Sequence, residues 1–265
     1  MGYYSDKKVW ITGASAGIGR ALAHALSKQG ASLILSSRKV SALEKVKEEC
    51  GNNNIDILPL DLGDHKDLAS ILQQNKNLYE GVDILINNGG ISQRSNVVDT
   101  SFEVYERLMD VNYLGTVQIS LKVLPAFLKR GGGQFVVISS MAGKFGVPIR
   151  SGYSAAKMAL HGFFDALRAE LYEKNVKVTM VCPGFVKTDI SINSLSGDGK
   201  AHNIMDDAQK KGMDVDILAQ EILKAVEKQK EEVYFGGFKD TKLAIFVSRL
   251  FPGTFRKIIR KAKVN

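Results

Sequence analysis

Tyr153 and Lys157 stand four residues apart in Tyr-Ser-Ala-Ala-Lys, and Ser140 lies thirteen residues before the tyrosine, at the end of an apolar, β-rich run. On a helix, positions i and i+4 project from one face, so Lys157 can hold its charge near the Tyr153 oxygen. An ordinary tyrosine, with a pKa of about 10, is a poor base at neutral pH; a neighbouring cation favours its ionised form and lets it pass a proton in either direction. Such pairs also arise by chance on many helices, so their meaning depends on what surrounds them. Ser139 competes with Ser140 as the third member. Adjacent strand residues face opposite ways, so only one of the two serines can reach the same reactive group.

The elements that must position these residues follow a repeating order. Short aliphatic or β-branched runs, bounded by Gly, Asn or Pro, predict strands at Val9–Thr12, Ser32–Ser36, Asp56–Leu60, Asp83–Ile86, Phe135–Ser139, Lys177–Cys182 and Glu232–Phe235. Helical stretches fall between them, at Ile18–Gln29, Val40–Glu49, Lys66–Gln74, Phe102–Lys129, Ser154–Glu173 and Val215–Lys230, with Gly30 and Gly51 where helix ends are expected. Repeated strand-helix-strand units imply parallel pairing and a doubly wound α/β sheet. Ligands gather beyond the carboxyl ends of such strands.

The chemical motifs sit at those ends. The first strand runs into Thr12-Gly13-Ala14-Ser15-Ala16-Gly17-Ile18-Gly19, a Gly-x-x-x-Gly-x-Gly turn in which a helix begins. Its amides can approach a pyrophosphate at the helix N-terminus, where the dipole favours an anion. The second strand ends at Ser37-Arg38-Lys39, with no carboxylate to hold a ribose 2′-hydroxyl. A 2′-phosphate could instead be held by Arg38 and the Ser37 hydroxyl, which points to NADP(H). Asp61, after the third strand, could instead cap the helix beginning near His65.

The 265 residues, 45% hydrophobic, can bury a full core and are read as one domain over 1–265. Met1 to Lys8 shows no secretion signal, and no eighteen-residue apolar run occurs, so export and membrane spanning are not expected. Cys50 and Cys182 are distant, with no metal-ligand spacing, and fit reduced thiols in the cytoplasm; Cys182 is read as a small buried residue. The histidines His24, His65, His161 and His202 are read as structural or solvated. The net charge is +8, much of it in a C-terminal segment, about 242–265, where Arg249, Arg256, Lys257, Arg260, Lys261 and Lys263 interleave with Leu250, Phe251, Phe255, Ile258 and Ile259. That pattern fits a basic amphipathic helix on a membrane surface or one covering its own domain. No recognition motif accompanies the charge, so nucleic acid is not an expected partner.

Taken in order, TGASAGIG, Asn87-Asn88-Gly89-Gly90, Asn112, Ser140, Tyr153-x-x-x-Lys157 and Pro183-Gly184 resemble the short-chain dehydrogenase/reductase family from Lys7 to about Phe235. The Asn-Asn-Gly-Gly variant, with Ile91-Ser92-Gln93-Arg94-Ser95 after it, looks like the member 7 and 11β-hydroxysteroid dehydrogenase-like group, Gly89 standing where the family usually has Ala. The resemblance implies a Rossmann domain with a mostly parallel seven-stranded sheet and an oxidoreductase moving a hydride between NADP(H) and a carbonyl or alcohol. It selects Ser140 by its spacing to the tyrosine and implies catalytic roles for Asn112, Ser140, Tyr153 and Lys157. It assigns cofactor contacts to Gly13, Ser15, Gly17, Ile18, Gly19, Ser37, Arg38, Asp61, Leu62, Asn87, Gly89, Tyr153, Lys157, Pro183, Gly184, Val186 and Thr188. Asp189 to Asp214, rich in Ser, Asn, Gly and Asp, falls where the family has its substrate loop; Ile192, Leu195, Ile204 and Met205 could line a pocket or pack within the loop. A lipophilic substrate and a homodimer or homotetramer, with the long helices at the interface, follow from the resemblance alone. The alternative is a catalytically silent NADP(H)-binding sensor or scaffold protein.

Overall fold

A computed structural model describes residues 2–51, 54–236 and 238–262. Lys263 of the basic segment lies outside them. Seven strands, β1 (Lys8–Thr12), β2 (Ser32–Ser36), β3 (Ile55–Ile57), β4 (Ile84–Asn87), β5 (Gly133–Ile138), β6 (Val176–Pro183) and β7 (Glu232–Phe235), form one sheet in the order β3-β2-β1-β4-β5-β6-β7. Every neighbouring pair is parallel. Alternate strand residues feed opposite faces: Val9 and Ile11 join one core, Trp10 the other. The first is completed by helices α1 (Gly17–Lys28), α2 (Val40–Cys50) and α9 (Val215–Glu227). The second takes α3 (His65–Gln74), the short α4 (Lys76–Tyr79), α6 (Gly115–Lys129) and α7 (Ser151–Glu170). Helix α5 (Phe102–Met109) lies against α7.

Two elements differ from the periodicity reading. The third strand ends at Ile57 and not at Leu60. Leu58 and Leu60 still donate to Leu35 and Ser37 of the neighbouring strand's line, but Pro59 between them has no N–H, which a sheet edge tolerates. The stretch expected as one helix from Phe102 to Lys129 is interrupted by a wide turn, Asp110–Leu114, with i to i+5 hydrogen bonding. Such turns shift the helix face by one residue and concentrate at functional sites. This one carries Asn112.

The segment 189–214 contains the short α8 (Asp207–Lys210) and is followed by α9 and β7, then two further helices, α10 (Phe238–Leu250) and α11 (Pro252–Ile259). Phe255 of α11 packs edge-on against Phe145 with ring centres 4.7 Å apart. No helix among the described residues is long and apolar enough to cross a membrane.

Candidate active site

At the junction of β1 with β2 and β4, the glycine turn leaves β1 and opens α1. Gly13 and Gly17 have φ of +65° and +52°, a left-handed conformation that L side chains rarely adopt. A Cβ on Gly19 would lie 2.3 Å from the Gly13 carbonyl oxygen, so the first turn of α1 can approach the loop only with glycine there. The turn after β4 is tied to it by Asn88, whose Nδ2 donates to the Thr12 and Gly13 carbonyls at 3.0 and 3.1 Å. Thr12 Oγ1 accepts the Asn88 and Gly89 amides in return. Sequence reasoning singled out Asn87, which points the other way and donates to Ser120. A Cβ on Gly89 would come 2.5 Å from the end of Leu62, so the missing methyl makes room for that side chain.

Ser37 Oγ is buried without a hydrogen-bond partner on the wall of the cavity, beside Arg38. An orphaned buried hydroxyl costs free energy unless a ligand completes it. With the glycine turn, this donor set fits an adenine dinucleotide. Burial alone would raise the Asp61 carboxyl, but the Gly63 amide and Arg107, at 2.9 Å each, hold it below its ordinary value. The cap of α3 is Asp64, which accepts from the Asp67 amide; Asp61 does not serve there.

At the other end of the cavity, α7 carries Tyr153 and Lys157, both buried. Ser140, just past β5, accepts the Ala142 amide at 3.1 Å and lines the cavity together with Tyr153. Burial raises the Tyr153 phenol above its ordinary value; the Ser140 hydroxyl opposes this, as do the charges of Arg150 and Arg94. The Lys157 ammonium donates to the Ile138 carbonyl at 2.8 Å, 5.8 Å from the Tyr153 ring centre, and burial brings it down to about 8. Asn112 accepts the Ile91 amide and donates to the Ile91 and Leu108 carbonyls, so its side chain is saturated by protein and fixes the strand end to the wide turn. Its backbone carbonyl accepts the Thr116 hydroxyl.

The two serines part as strand geometry requires. Ser139 turns beneath the site to His161 Nε2 at 3.0 Å. Around that imidazole lie Cys182 at 3.7 Å and the Glu232 carboxylate at 3.6 Å, the latter paired with Lys144 at 2.6 Å. Burial lowers His161 to about 4 and pushes the Cys182 thiol well up, so the thiol stays protonated and unreactive. His161 thus abuts the site, closer than its place in the sequence signalled.

The cavity measures about 1430 Å³, beyond the roughly 300–1,000 Å³ of a single small-molecule pocket and enough for a cofactor with a second ligand. Pro183, Gly184, Val186 and Thr188 line it, and Gln209 donates to the Val186 carbonyl and the Thr188 hydroxyl. From the expected loop residues, Leu195 packs on Tyr153, Leu108 and Val104, while Ile204 and Met205 border a separate small pocket. The walls come instead from Phe145, Val147, Phe185 and Ile190, with Ala244 and Ile259 from α10 and α11. Sequence reasoning also missed a buried cluster of Arg94, Arg150 and Asp206, whose members are up to 112 positions apart and carry no motif.

The short chain dehydrogenase family model matches residues 7–199. The chain therefore belongs to the short-chain dehydrogenase/reductase family, whose members are oxidoreductases. Within it the chain groups with the member 7 proteins. It is similar to a dehydrogenase/reductase SDR family protein 7-like of Drosophila melanogaster, 38% identical over 98% of this chain and 81% of that one. Similarity to the dehydrogenase/reductase SDR family member 7B of Mus musculus is 36% over 97% and 81%. The fold is that of a Burkholderia cenocepacia short chain dehydrogenase solved with NADP, at TM-score 0.80, 23% identity and 97% and 99% coverage. It matches equally a Burkholderia phymatum enzyme solved with NAD, at TM-score 0.80, 19% identity and 100% and 99% coverage.

Proposed function

We propose that this chain is an NADP(H)-dependent oxidoreductase interconverting a carbonyl and an alcohol on a lipophilic substrate, with Tyr153 as the acid and base. The observation that carries this reading is the convergence of Ser140, Tyr153 and Lys157 on one cavity that the glycine turn also lines. The bound nicotinamide would supply or take the hydride. Gly13, Ser15, Gly17, Ile18 and Gly19 would hold the pyrophosphate, Ser37 and Arg38 the 2′-phosphate, Asp61 and Leu62 the adenine side, and Gly89 the middle, with Asn87 fixing the strand end behind it through Ser120. Pro183, Gly184, Val186 and Thr188 would border the nicotinamide, and Lys157 its ribose.

Tyr153 gives its proton to the substrate oxygen as charge develops there, and recovers it in the reverse direction. Ser140 donates to the same oxygen and orients it. Lys157 delivers positive charge beneath the pair, and Asn112, through its backbone carbonyl, holds the water that links Lys157 to solvent. Two sources favour NADP(H): the orphaned Ser37 hydroxyl beside Arg38, and the lack of any carboxylate in Ser37-Arg38-Lys39. The apolar wall of Phe145, Val147, Phe185 and Ile190 favours a lipophilic substrate.

The enzyme is read as a single domain working in the cytoplasm as a homodimer or homotetramer. Its α10 and α11 rest on an anionic membrane surface: Leu243, Phe246, Leu250, Phe251 and Ile258 are exposed among Arg249, Arg256, Lys257, Arg260 and Lys261. Co-sedimentation with phosphatidylserine vesicles tests that contact; equal recovery with neutral vesicles rejects it. For the reaction, NADPH oxidation is followed over a panel of ketones and aldehydes. Tyr153→Phe is expected to lower turnover about 10²–10⁴-fold while NADPH fluorescence still reports binding. Undiminished turnover in that variant rejects the assignment, and tight NADPH binding with no turnover on any carbonyl favours a silent sensor.

A further inference from the structure

The first amides of a helix have no carbonyl within it to bind, and the residue before α7 does not supply an acceptor with its side chain. The acceptor comes from 59 positions upstream: Gln93 Oε1 takes the Gly152 amide at 2.8 Å, one residue before Tyr153. Gln93 is fully buried. Ser92 and Arg94 on either side of it line the cavity, so in the extended chain after β4 Gln93 turns away from the cavity and toward the start of α7. Gly152 admits this approach. A Cβ there would lie 2.8 Å from Leu108 Cδ1, 2.9 Å from Tyr105 Cδ1 and 3.2 Å from Gln93 Oε1.

The other end of the Gln93 amide is held as firmly. Its Nε2 donates to Ser95 Oγ at 3.1 Å and to Thr100 Oγ1 at 3.2 Å. The Thr100 hydroxyl gives its proton to the Asn96 carbonyl at 2.6 Å, which leaves Ser95 to donate to Thr100 at 2.8 Å. Both hydroxyl oxygens therefore face Gln93 as acceptors, and its amide has a single orientation, with the oxygen on Gly152. The Gln93 backbone bridges in parallel to Leu195 of the substrate segment. The Leu195 amide donates to the Ser92 carbonyl and the Arg94 amide to the Leu195 carbonyl, both at 2.8 Å. Leu195 in turn packs on the apolar cluster of Val104, Leu108, Ala142 and Tyr153. One residue thus joins the substrate segment to the helix that carries the phenol, by its backbone on one side and its side chain on the other.

We propose that Gln93 is a positioning residue for Tyr153: its side-chain carbonyl caps α7 beside the phenol while its backbone seats Leu195 in the apolar cluster around Tyr153, fixing where the phenol meets a substrate carbonyl. Proton transfer needs hydrogen-bond reach, and a misplacement of about 1 Å can cost about 10²-fold in rate. Without the cap, the first turn of α7, which bears Tyr153, is released, whereas Lys157, one turn further on, stays tied to the Ile138 carbonyl. This inference rests on the role proposed above for Tyr153, but one of its two readouts does not need turnover.

The test follows amide hydrogen exchange at Gly152 by NMR of the full chain, together with kcat and the NADPH KM on the ketone or aldehyde that the parent reduces fastest. Gln93→Met keeps the length and removes the acceptor. Gly152 is expected to exchange about tenfold faster with the last turns of α7 unchanged, and kcat to fall about 10- to 100-fold while the NADPH KM stays within about threefold. Gln93→Glu keeps an oxygen toward Gly152 in either protonation state but cannot reproduce both Nε2 bonds to Ser95 and Thr100. Its Gly152 exchange and kcat are expected within about threefold of the parent, whatever its melting temperature. A residue that merely holds the loop behaves otherwise, because Glu breaks the loop's bonds as Met does. Unchanged Gly152 exchange in Gln93→Met, undiminished kcat in that variant, or equal losses in both variants overturns the proposal. Should Gln93→Met fail to fold, Gln93→Asn, one methylene too short to reach Gly152, must give the same losses, and its failure to do so is equally decisive. A parent that reduces no carbonyl defeats the enzyme reading while the exchange still shows whether Gln93 caps the helix; faster exchange with full kcat in an active parent defeats the positioning role alone.

Discussion

At the scale of one side chain, the NADP(H) preference proposed above turns on Arg38. It stands at the end of β2 beside the buried, unpartnered Ser37 hydroxyl, on the cavity wall. A hydrogen bond to a charged group is worth about 1.5–3 kcal/mol, and a 2′-phosphate offers such bonds where a ribose hydroxyl does not. Arg38→Ala is therefore expected to weaken NADPH about 10- to 100-fold and to leave NADH within about threefold, by fluorescence titration. Equal losses for both dinucleotides would show that Arg38 supports the loop and does not read the phosphate. Much of this residue-level chemistry is legible in the sequence, because the tyrosine, lysine, serine and glycine turn act over short spacings. Arg94, Arg150 and Asp206 are not legible: each looks like an ordinary solvated charge, and only the closed sheet brings them onto one another. Asn88 was hidden by its neighbour, since nothing in Asn87-Asn88 says which side chain turns toward the glycine loop.

Helix α6 shows how an element carries the site without touching it. Gly115, at its first turn, lets the helix seat on the loop after β3: a Cβ there would lie 2.1 Å from the Leu62 carbonyl oxygen, which is backbone and cannot swing aside. Overfilling a packed contact costs about 1–3 kcal/mol. Gly115→Ala should lower the urea midpoint accordingly. It should also weaken NADPH, because Asp61 and Leu62 move with the loop; a stability loss with unchanged NADPH affinity would separate α6 from the adenine side. The strands and most helices were readable from aliphatic runs and amphipathic spacing. The wide turn at Asp110–Leu114 was not, because Val111 and Tyr113 keep the apolar content of a continuous helix while one extra residue shifts the face. The early end of β3 was readable in principle from Pro59, whose missing N–H marks where the ladder must stop or skip.

For the whole molecule, acid stability and assembly follow from groups outside the proposed catalytic set. The unfolded chain protonates the His161 imidazole at its ordinary value near 6.5, whereas the folded protein resists until about 4. Stability conferred by the neutral ring is complete above pH 6.5, falls as pH drops toward 4 and levels off below it, amounting to about 2 kcal/mol after allowance for the half-open Glu232 beside it. His161→Gln should flatten that part of the urea midpoint against pH, and an unchanged slope would place the acid sensitivity elsewhere. For the proposed assembly the candidate face is α6 with the residue before it: Leu114, Leu121 and Leu128 are 43%, 51% and 41% exposed at seven-residue spacing. Seven residues make two turns, so the three form one apolar stripe, on the opposite side from the Phe127 ring that fills the core. Met158 of α7, 40% exposed, gives the second long helix an apolar side chain in solvent as well. Self-complementary stripes of this kind close a two-fold dimer when each copy offers the same face. Light scattering should give at least twice the 29.0 kDa chain mass, and Leu121→Glu with Leu128→Glu should reduce the assembly while leaving the thermal transition of the subunit in place. A monomeric parent protein, or a charged double variant that stays assembled, would rule this face out.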